Sequence, residues 1–187
     1  MRDCFNIDEM SVKDIDETVH LEEIIFSHPW SKKSIESTLL SSDNICLVVY
    51  DSEKNIQAGY CIFTTSFEDA DLCRIAVLND YRRNHLADRM LKKAFEKLET
   101  NGVKRVILEV REGNNAAITL YKKYGFEIIG IIGANRSPNC GVETTSDNNA
   151  EINGMGLFVE KIVNQLLQEN MSVPMIGIKG TDNIQEK

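Results

Sequence analysis

Apolar residues near the N-terminus recur at helical spacing and predict two consecutive helices. Ile15, Val19 and Phe26 form one stripe, which follows a capping-box sequence at residues 11–14. Ser31 predicts the N-cap of a second, shorter helix. These two helices precede the first strongly β-rich segment of the chain.

Compact runs rich in β-branched and aromatic residues predict strands in the first 80 residues. Phe5–Met10 is a weak candidate, whereas Ile45–Tyr50 and Ile56–Thr65 flank polar turn residues and predict a hairpin. Leu72–Val77 is a further apolar run and predicts the next strand. We expect antiparallel pairing in this half of the chain.

Helices and strands alternate from residue 86 onward. Helical spacing covers residues 86–98, strands are predicted at 103–110 and 126–132, and a helix at 116–124 ends at Gly125. The first helix is long enough for a right-handed crossover between parallel strands. The fold class is therefore α/β, with one mixed sheet covered by helices on both faces.

The last third of the chain lacks this regularity. Residues 133–150 are rich in Asn, Ser, Thr and Gly and predict an irregular loop. A last strand is predicted near residues 156–159, and residues 171–187 have the composition of a loose tail. We expect one domain at residues 1–160 and a partly disordered extension at 161–187.

Composition narrows the class of protein. The chain has 187 residues, of which 42% are hydrophobic and 27% charged, with a net charge of −8. This is typical of a soluble globular protein and argues against binding to nucleic acid or an anionic membrane. Residues 71–132, however, carry a net charge of +4 from 12 basic and 8 acidic side chains. We expect an anionic ligand there; random surface charge is the alternative.

Cysteine usage and hydropathy predict a cytoplasmic protein. The five cysteines form no C-x-x-C pair, so no metal site is expected, and Cys46 and Cys61 are predicted to be small buried hydrophobes. The N-terminus has no apolar core typical of a signal peptide, and no run of about 20 apolar residues predicts a membrane span.

Three features carry candidate chemistry. The strand ending at Val77 leads into a helix that begins near Leu86, and a helix N-terminus suits a pyrophosphate. Glu109 lies within an apolar run, where a carboxylate is costly unless it is exposed, paired or used. Tyr121 lies on the following helix. The structural alternative for Glu109 is a strand edge that faces water, with or without a basic neighbour paired to it, and for Tyr121 it is an amphipathic core tyrosine.

Together these residues resemble the GNAT acyltransferases. Arg82-x-x-His85-x-Ala87 is similar to the R/Q-x-x-G-x-G/A acetyl-CoA motif of that superfamily, with histidine at a glycine position. Residues 114–126 resemble its later motif. Residues 108–111 and the Pro-Trp-Ser element at 29–31 are similar to the ribosomal-protein-alanine N-acetyltransferases.

The resemblance implies a GNAT fold with two splayed central parallel strands, and it implies roles for individual residues. Glu109 would be the general base and Tyr121 the general acid. The splayed strand and the loop after it would bind acetyl-CoA. The positions assigned to acetyl-CoA in this way are Ile75, Ala76, Val77, Arg83, Asn84, His85, Leu86, Ala87, Asp88 and Asn114.

The function implied by the resemblance is acetyl-CoA-dependent N-terminal acetylation. The acceptor would be the α-amine of the N-terminal alanine of a small-subunit ribosomal protein, and the acidic first half of the chain suits a basic partner. The resemblance also implies substrate contacts from an arginine and tyrosines soon after the last well-predicted strand. Arg136 is the one arginine there and no tyrosine follows it, so Arg136 is a candidate acceptor contact, with a solvated loop arginine as the alternative. A small-molecule amine or a lysine is the alternative acceptor, and a non-catalytic acetyl-CoA-binding scaffold is the non-enzymatic alternative.

Overall fold

The computed structural model describes residues 4–111, 113–134, 144–147, 150–153 and 175–178. Backbone contacts divide the chain into two compact units, residues 1–120 and 121–187, and each is described by itself. Within the described ranges, no helix combines the length and the hydropathy needed to cross a membrane. That residues 1–160 form one domain remains a prediction.

A five-stranded sheet forms the centre of the first unit, with its strands in sequence order. Strands β1 to β4 pair antiparallel, and β5 is parallel to β4. The mixed sheet predicted from the sequence is confirmed. Its strands are β1 Phe5–Glu9, β2 Ile45–Asp51, β3 Ile56–Ser66, β4 Asp69–Val77 and β5 Arg105–Leu108.

Helices cover both faces of this sheet. The α-helices in the described residues are α1 Ile15–Ile25, α2 Lys32–Leu39, α3 Leu86–Thr100 and α4 Asn115–Lys123, and α4 crosses the boundary between the units. Neighbouring β3 residues point to opposite faces. Ile62 packs in the cluster with Leu21 of α1 and Ile35 of α2, whereas the ring of Phe63 lies 6.0 Å from that of Phe95 in α3.

Helix α3 also covers the free edge of β1. Arg89 Nη2 donates to the carbonyl of Phe5 at 3.0 Å, and Lys93 Nζ donates to the carbonyl of Ile7. Positive side chains therefore occupy the outward-facing acceptors of an edge strand, which disfavours pairing with another chain.

The predicted capping box at the start of α1 is confirmed. The Oδ2 atom of Asp14 accepts from the N–H and the hydroxyl of Ser11, each at 2.7 Å, and Oδ1 accepts from Tyr50 at 2.7 Å. Burial opposes ionisation of Asp14, but these three hydrogen bonds outweigh it and hold the pKa of the carboxyl below its usual value of 3.8.

We expect Asp14→Asn to lower the free energy of unfolding at pH 7 by about 1–3 kcal/mol, because hydrogen bonds to a charged acceptor are lost. A lowered pKa in the folded state means that the carboxylate stabilises fully above about pH 3.8 and less as the pH falls further. Urea unfolding at pH 7 and at about pH 3 should therefore show a difference from wild type that shrinks in acid. The exposed Asp8→Asn is the control; a constant difference would contradict the assignment.

The structure differs from the prediction at two strands. The run predicted at 103–110 forms a strand only over β5, Arg105–Leu108, because its pairing with β4 ends at Leu72. The run predicted at 126–132 joins a strand only at its end, in β6 Ile131–Ala134. Ile129 is 69% exposed, so this apolar run does not enter a buried strand at its middle.

The described part of the second unit contains two small sheets. Strand β6 pairs parallel with β9 Met175–Ile178, and β7 Thr144–Asp147 pairs antiparallel with β8 Ala150–Asn153. The prediction of an irregular stretch at 133–150 and a loose tail at 171–187 was wrong at these strands. The strand predicted near 156–159 lies outside the described residues.

Candidate active site

The edge of β4 that faces β5 is open over its last five residues. The parallel pairing runs from Asp69 with Arg105 to Leu72 with Leu108, and β5 ends there. A register shift in the β3–β4 pairing leaves Cys73 without a partner in β3. The predicted splay of the two central parallel strands is confirmed. Backbone groups on this edge have no partner strand in the described part of the chain, so they can bind an extended ligand.

Gly59 of β3 lets the two strands approach closely beside this open edge. A Cβ atom at Gly59 would lie 2.4 Å from the carbonyl oxygen of Ala76 and 3.2 Å from the Cα of Val77. Any side chain at this position would displace the backbone of β4. Sequence reasoning did not single out Gly59, because the close approach depends on a pairing between distant segments.

Side chains fix the loop that joins β4 to α3. Arg82 Nε donates to the carbonyl of Val77 at 3.3 Å, and Asn84 Nδ2 donates to the carbonyl of Tyr81 at 3.0 Å. Arg83 has a φ of 65° and His85 a φ of 57°, both in the left-handed region. The loop is therefore anchored to the end of the open edge and turns sharply into the helix.

His85 is the N-cap of α3. Its carbonyl accepts the first bond of the helix from the N–H of Arg89 at 3.0 Å, and its own side chain makes no capping bond. Leu86 and Ala87 occupy the first turn, where N–H groups have no acceptor within the helix. These amides and the positive end of the helix dipole suit a phosphate. The left-handed φ of His85 explains why glycine is the expected residue there.

Glu109 directly follows β5 and is exposed. Leu108 pairs with Leu72, and Leu72 pairs with Phe63, so these three side chains lie on the α3 side of the sheet. Successive side chains along a strand point to opposite faces. If this alternation continues one residue beyond Leu108, Glu109 lies on the α1 side. The exposure of Glu109 agrees with the alternative of a strand edge that faces water. Within the described residues Glu109 has neither a hydrogen bond nor an ion pair, so pairing with a basic neighbour has no support there.

Asn114 directly precedes α4, and Tyr121 lies within it. The side chain of Asn114 accepts from the N–H of Ala117 at 3.3 Å and caps the helix. Tyr121 is 7% exposed, and its ring lies 5.8 Å from that of Phe126. Tyr121 begins the second unit, whereas Glu109 lies in the first.

A buried carboxylate that the sequence did not reveal lies behind the open edge. Glu22 of α1 is fully buried and accepts from the hydroxyl of Tyr60 and, at 2.7 Å, from the N–H of Trp30. Burial, together with the bond to Glu22, raises the pKa of Tyr60 far above its usual value. Tyr60 therefore remains a hydrogen-bond donor at any physiological pH.

The predicted burial of two cysteines is confirmed. Cys46 is 7% exposed and Cys61 is fully buried. Burial raises the pKa of the Cys46 thiol to about 11, so it is protonated and unreactive at neutral pH. These thiols pack as small hydrophobic side chains.

The sequence profile of the Acetyltransferase (GNAT) family matches residues 15–126, more than half of the chain. The chain belongs to this family. GNAT acetyltransferases take their acetyl group from acetyl-CoA, so this protein is an N-acetyltransferase with acetyl-CoA as its donor. Two parts of that donor suit this geometry: the peptide-like pantetheine arm suits an open strand edge such as that of β4, and the pyrophosphate suits the amide-rich start of a helix such as α3.

Known GNAT relatives are similar over most of their own length. The ribosomal protein bS18-alanine N-acetyltransferase of Escherichia coli is 32% identical over 120 residues, covering 64% of this chain and 79% of the relative. The enzyme of that name from Salmonella typhimurium is 33% identical, covering 63% and 77%. The crystal structure of the Escherichia coli ribosomal-protein-S18-alanine N-acetyltransferase superposes with a TM-score of 0.60 at 31% identity, covering 66% of this chain and 77% of that one.

Proposed function

We propose that this GNAT enzyme acetylates the α-amine of the N-terminal alanine of a small-subunit ribosomal protein. The observation that carries acetyl transfer is the open edge of β4 next to the exposed Glu109. The alanine acceptor is supported by relatives at 32–33% identity that are named for this activity. A ribosomal acceptor also supports a cytoplasmic location.

The proposed donor site consists of backbone groups of Ile75, Ala76 and Val77, which would bind the pantetheine arm as a neighbouring strand does. The loop that begins at Arg83 would bind the pyrophosphate through backbone N–H groups. The remaining residues proposed to contact acetyl-CoA are Asn84, His85, Leu86, Ala87, Asp88 and Asn114.

Glu109 is proposed to act as the general base, directly or through a water molecule. A free α-amine has a pKa of roughly 7.7–8.0, so most of it is protonated at neutral pH and cannot attack. Glu109 would accept one proton, after which the amine nitrogen bonds to the acetyl carbon and the carbon–sulfur bond breaks. Tyr121 would donate its hydroxyl proton to the sulfur, which leaves as a thiol with the electron pair of the broken bond. The nitrogen, positively charged after the attack, would lose its second proton through solvent to the Tyr121 phenolate, which gives the neutral amide and restores the phenol.

The acceptor class is tested by offering the protein acetyl-CoA with three kinds of amine: peptides that begin with alanine, peptides with an internal lysine only, and polyamines. Mass spectrometry of the products should show one added acetyl group on the α-amine of the alanine peptides. Modification of the polyamine alone would refute the proposed acceptor, and thiol release no faster than in the Glu109→Gln and Tyr121→Phe variants would favour a scaffold.

We expect His85→Gly to lower the dissociation constant of acetyl-CoA. Glycine adopts the left-handed φ of 57° without strain and removes an imidazole from the phosphate loop. The same change should raise stability by about 1 kcal/mol, since the left-handed cost disappears. Calorimetric titration and urea unfolding measure the two effects.

His85→Ala is the matched control, because alanine removes the imidazole but keeps the left-handed strain. Tighter binding in both variants would assign the effect to crowding by the imidazole. An unchanged or larger dissociation constant in His85→Gly would show that the histidine assists binding, for example by donating to a phosphate oxygen.

A further inference from the structure

The segment between α1 and α2, residues 26–31, is held to the sheet by two side chains of opposite charge. Glu22 accepts from the N–H of Trp30 at 2.7 Å, and Arg74 of β4 donates from Nη2 to the carbonyl of His28 at 3.1 Å. Both bonds are to the backbone of the segment. The course of this segment, which we call the 26–31 loop, therefore depends on Glu22 and Arg74.

The same two side chains contact each other. Arg74 Nε lies 3.2 Å from Glu22 Oε1, and the Arg74 side chain is only 21% exposed. This N–H is not aligned for a hydrogen bond with any described acceptor, so the contact with Glu22 is electrostatic. A buried carboxylate that loses its cation is strongly unfavourable. Removal of Arg74 would therefore also disturb the bond from Glu22 to the loop.

Two aromatic side chains of the loop pack on the Arg74 guanidinium. Its central carbon lies 4.5 Å from the ring centroid of Phe26 and 5.2 Å from that of Trp30. A planar guanidinium can stack on a ring and donate at its rim, whereas an ammonium group cannot do both. Arg74 thus fixes side chains as well as backbone in the 26–31 loop.

Arg74 lies within the open edge of β4. It directly precedes Ile75, the first residue proposed for the pantetheine arm, and it pairs across the sheet with Ile62 on the α1 side. Alternation predicts Glu109 on that same side. The 26–31 loop therefore borders the side of the open edge at which an amine must approach the proposed base.

We propose that Glu22 and Arg74 are positioning residues that hold the 26–31 loop as one wall of the acceptor site. The inference rests on the proposed function, because it assumes that a peptide amine reaches Glu109 from this side. The pair sets acceptor affinity by fixing the shape of the loop. No proton passes through it, and it does not contact the acetyl group.

The test is Arg74→Met in the full-length protein, with acetyl-CoA and an alanine-initiated peptide. Methionine keeps the apolar stem but loses the charge and the donors. We expect the peptide KM to rise about tenfold or more, while kcat and the dissociation constant of acetyl-CoA stay within about threefold. Amide hydrogen exchange should become at least about tenfold faster in residues 26–31 and remain unchanged in β3.

Arg74→Met leaves the buried carboxylate of Glu22 without its cation, and this alone could impair folding. Two further variants separate that effect from the role of the loop. The double variant Arg74→Met with Glu22→Gln removes both charges and should show the same rise in KM and the same loosening of the loop. Arg74→Lys keeps the charge without the planar group and should recover only part of the affinity. Arg105→Met is the matched control, because it removes an exposed arginine whose Nε lies 2.7 Å from Asp69 on the same sheet.

An unchanged peptide KM in a folded variant would overturn the inference. It would also be overturned if kcat and acetyl-CoA affinity fell by the same factor as the affinity for the peptide, because that result indicates general destabilisation. Failure of the wild-type protein to acetylate any alanine peptide would refute the proposed function instead. Amide exchange needs no turnover, so unchanged exchange in residues 26–31 would overturn the positioning role in either case.

Discussion

Replacement of Glu109 by glutamine is expected to lower kcat about 10²–10⁴-fold with an alanine-initiated peptide. Glutamine has the shape of glutamate but cannot take the proton of the α-ammonium group. Because Glu109 is exposed and follows the last residue of β5, the substitution should not disturb the sheet. Steady-state kinetics measure the loss, and calorimetry should give an unchanged dissociation constant for acetyl-CoA.

Glu99→Gln is the matched control for this prediction. Glu99 is an exposed glutamate in the last turn of α3 and belongs to no proposed site, so its loss should leave kcat unchanged. Equal rates for wild type, Glu99→Gln and Glu109→Gln would remove Glu109 from the mechanism. A loss of kcat that appears together with weaker acetyl-CoA binding would indicate a structural role for Glu109.

Local signals predicted the helices and the central hairpin well. The capping box at Ser11 and Asp14, the N-cap at Ser31 and the positive φ of 81° at Gly125 each depend on a few adjacent residues. The compact apolar runs of β2 and β3 are equally local. Such features can be read from a sequence because their stabilising contacts involve neighbouring residues.

Strand limits were harder to predict because they depend on the partner strand. The apolar run at 103–110 continues past Leu108, but its pairing with β4 ends at Leu72, although β4 itself continues to Val77. The wrong strand limit marks the candidate site. Because the residues after Leu108 do not pair with β4, the edge of β4 beyond Leu72 stays open. Strand β7, Thr144–Asp147, has no apolar residue at all, so hydrophobic alternation could not have indicated it.

The candidate site shows the same division between local and distant contacts. Glu109 and Tyr121 stand in recognisable motifs and could be proposed from the sequence. Glu22 and Tyr60 are 38 residues apart, and neither lies in a motif, so only the fold shows that they are bonded. Gly59 was missed for the same reason, because its close contact is with a neighbouring strand.

The second large effect is expected from Tyr121→Phe, which should lower kcat about 10²-fold. The phenylalanine ring keeps the packing on Phe126, 5.8 Å away, so the substitution removes only the hydroxyl from a largely buried residue. Without that proton donor, the thiolate must leave unprotonated or wait for water. Kinetics measure the loss, and thermal unfolding checks that the second unit remains folded.

Tyr124→Phe is the control, since it removes a tyrosine hydroxyl just beyond the end of the same helix. Its kcat should equal that of the wild-type protein. A loss in Tyr121→Phe that also appears in Tyr124→Phe would assign the effect to the folding of this segment rather than to proton donation. A full rate in Tyr121→Phe would contradict the general-acid role, because nothing but the hydroxyl distinguishes the two side chains.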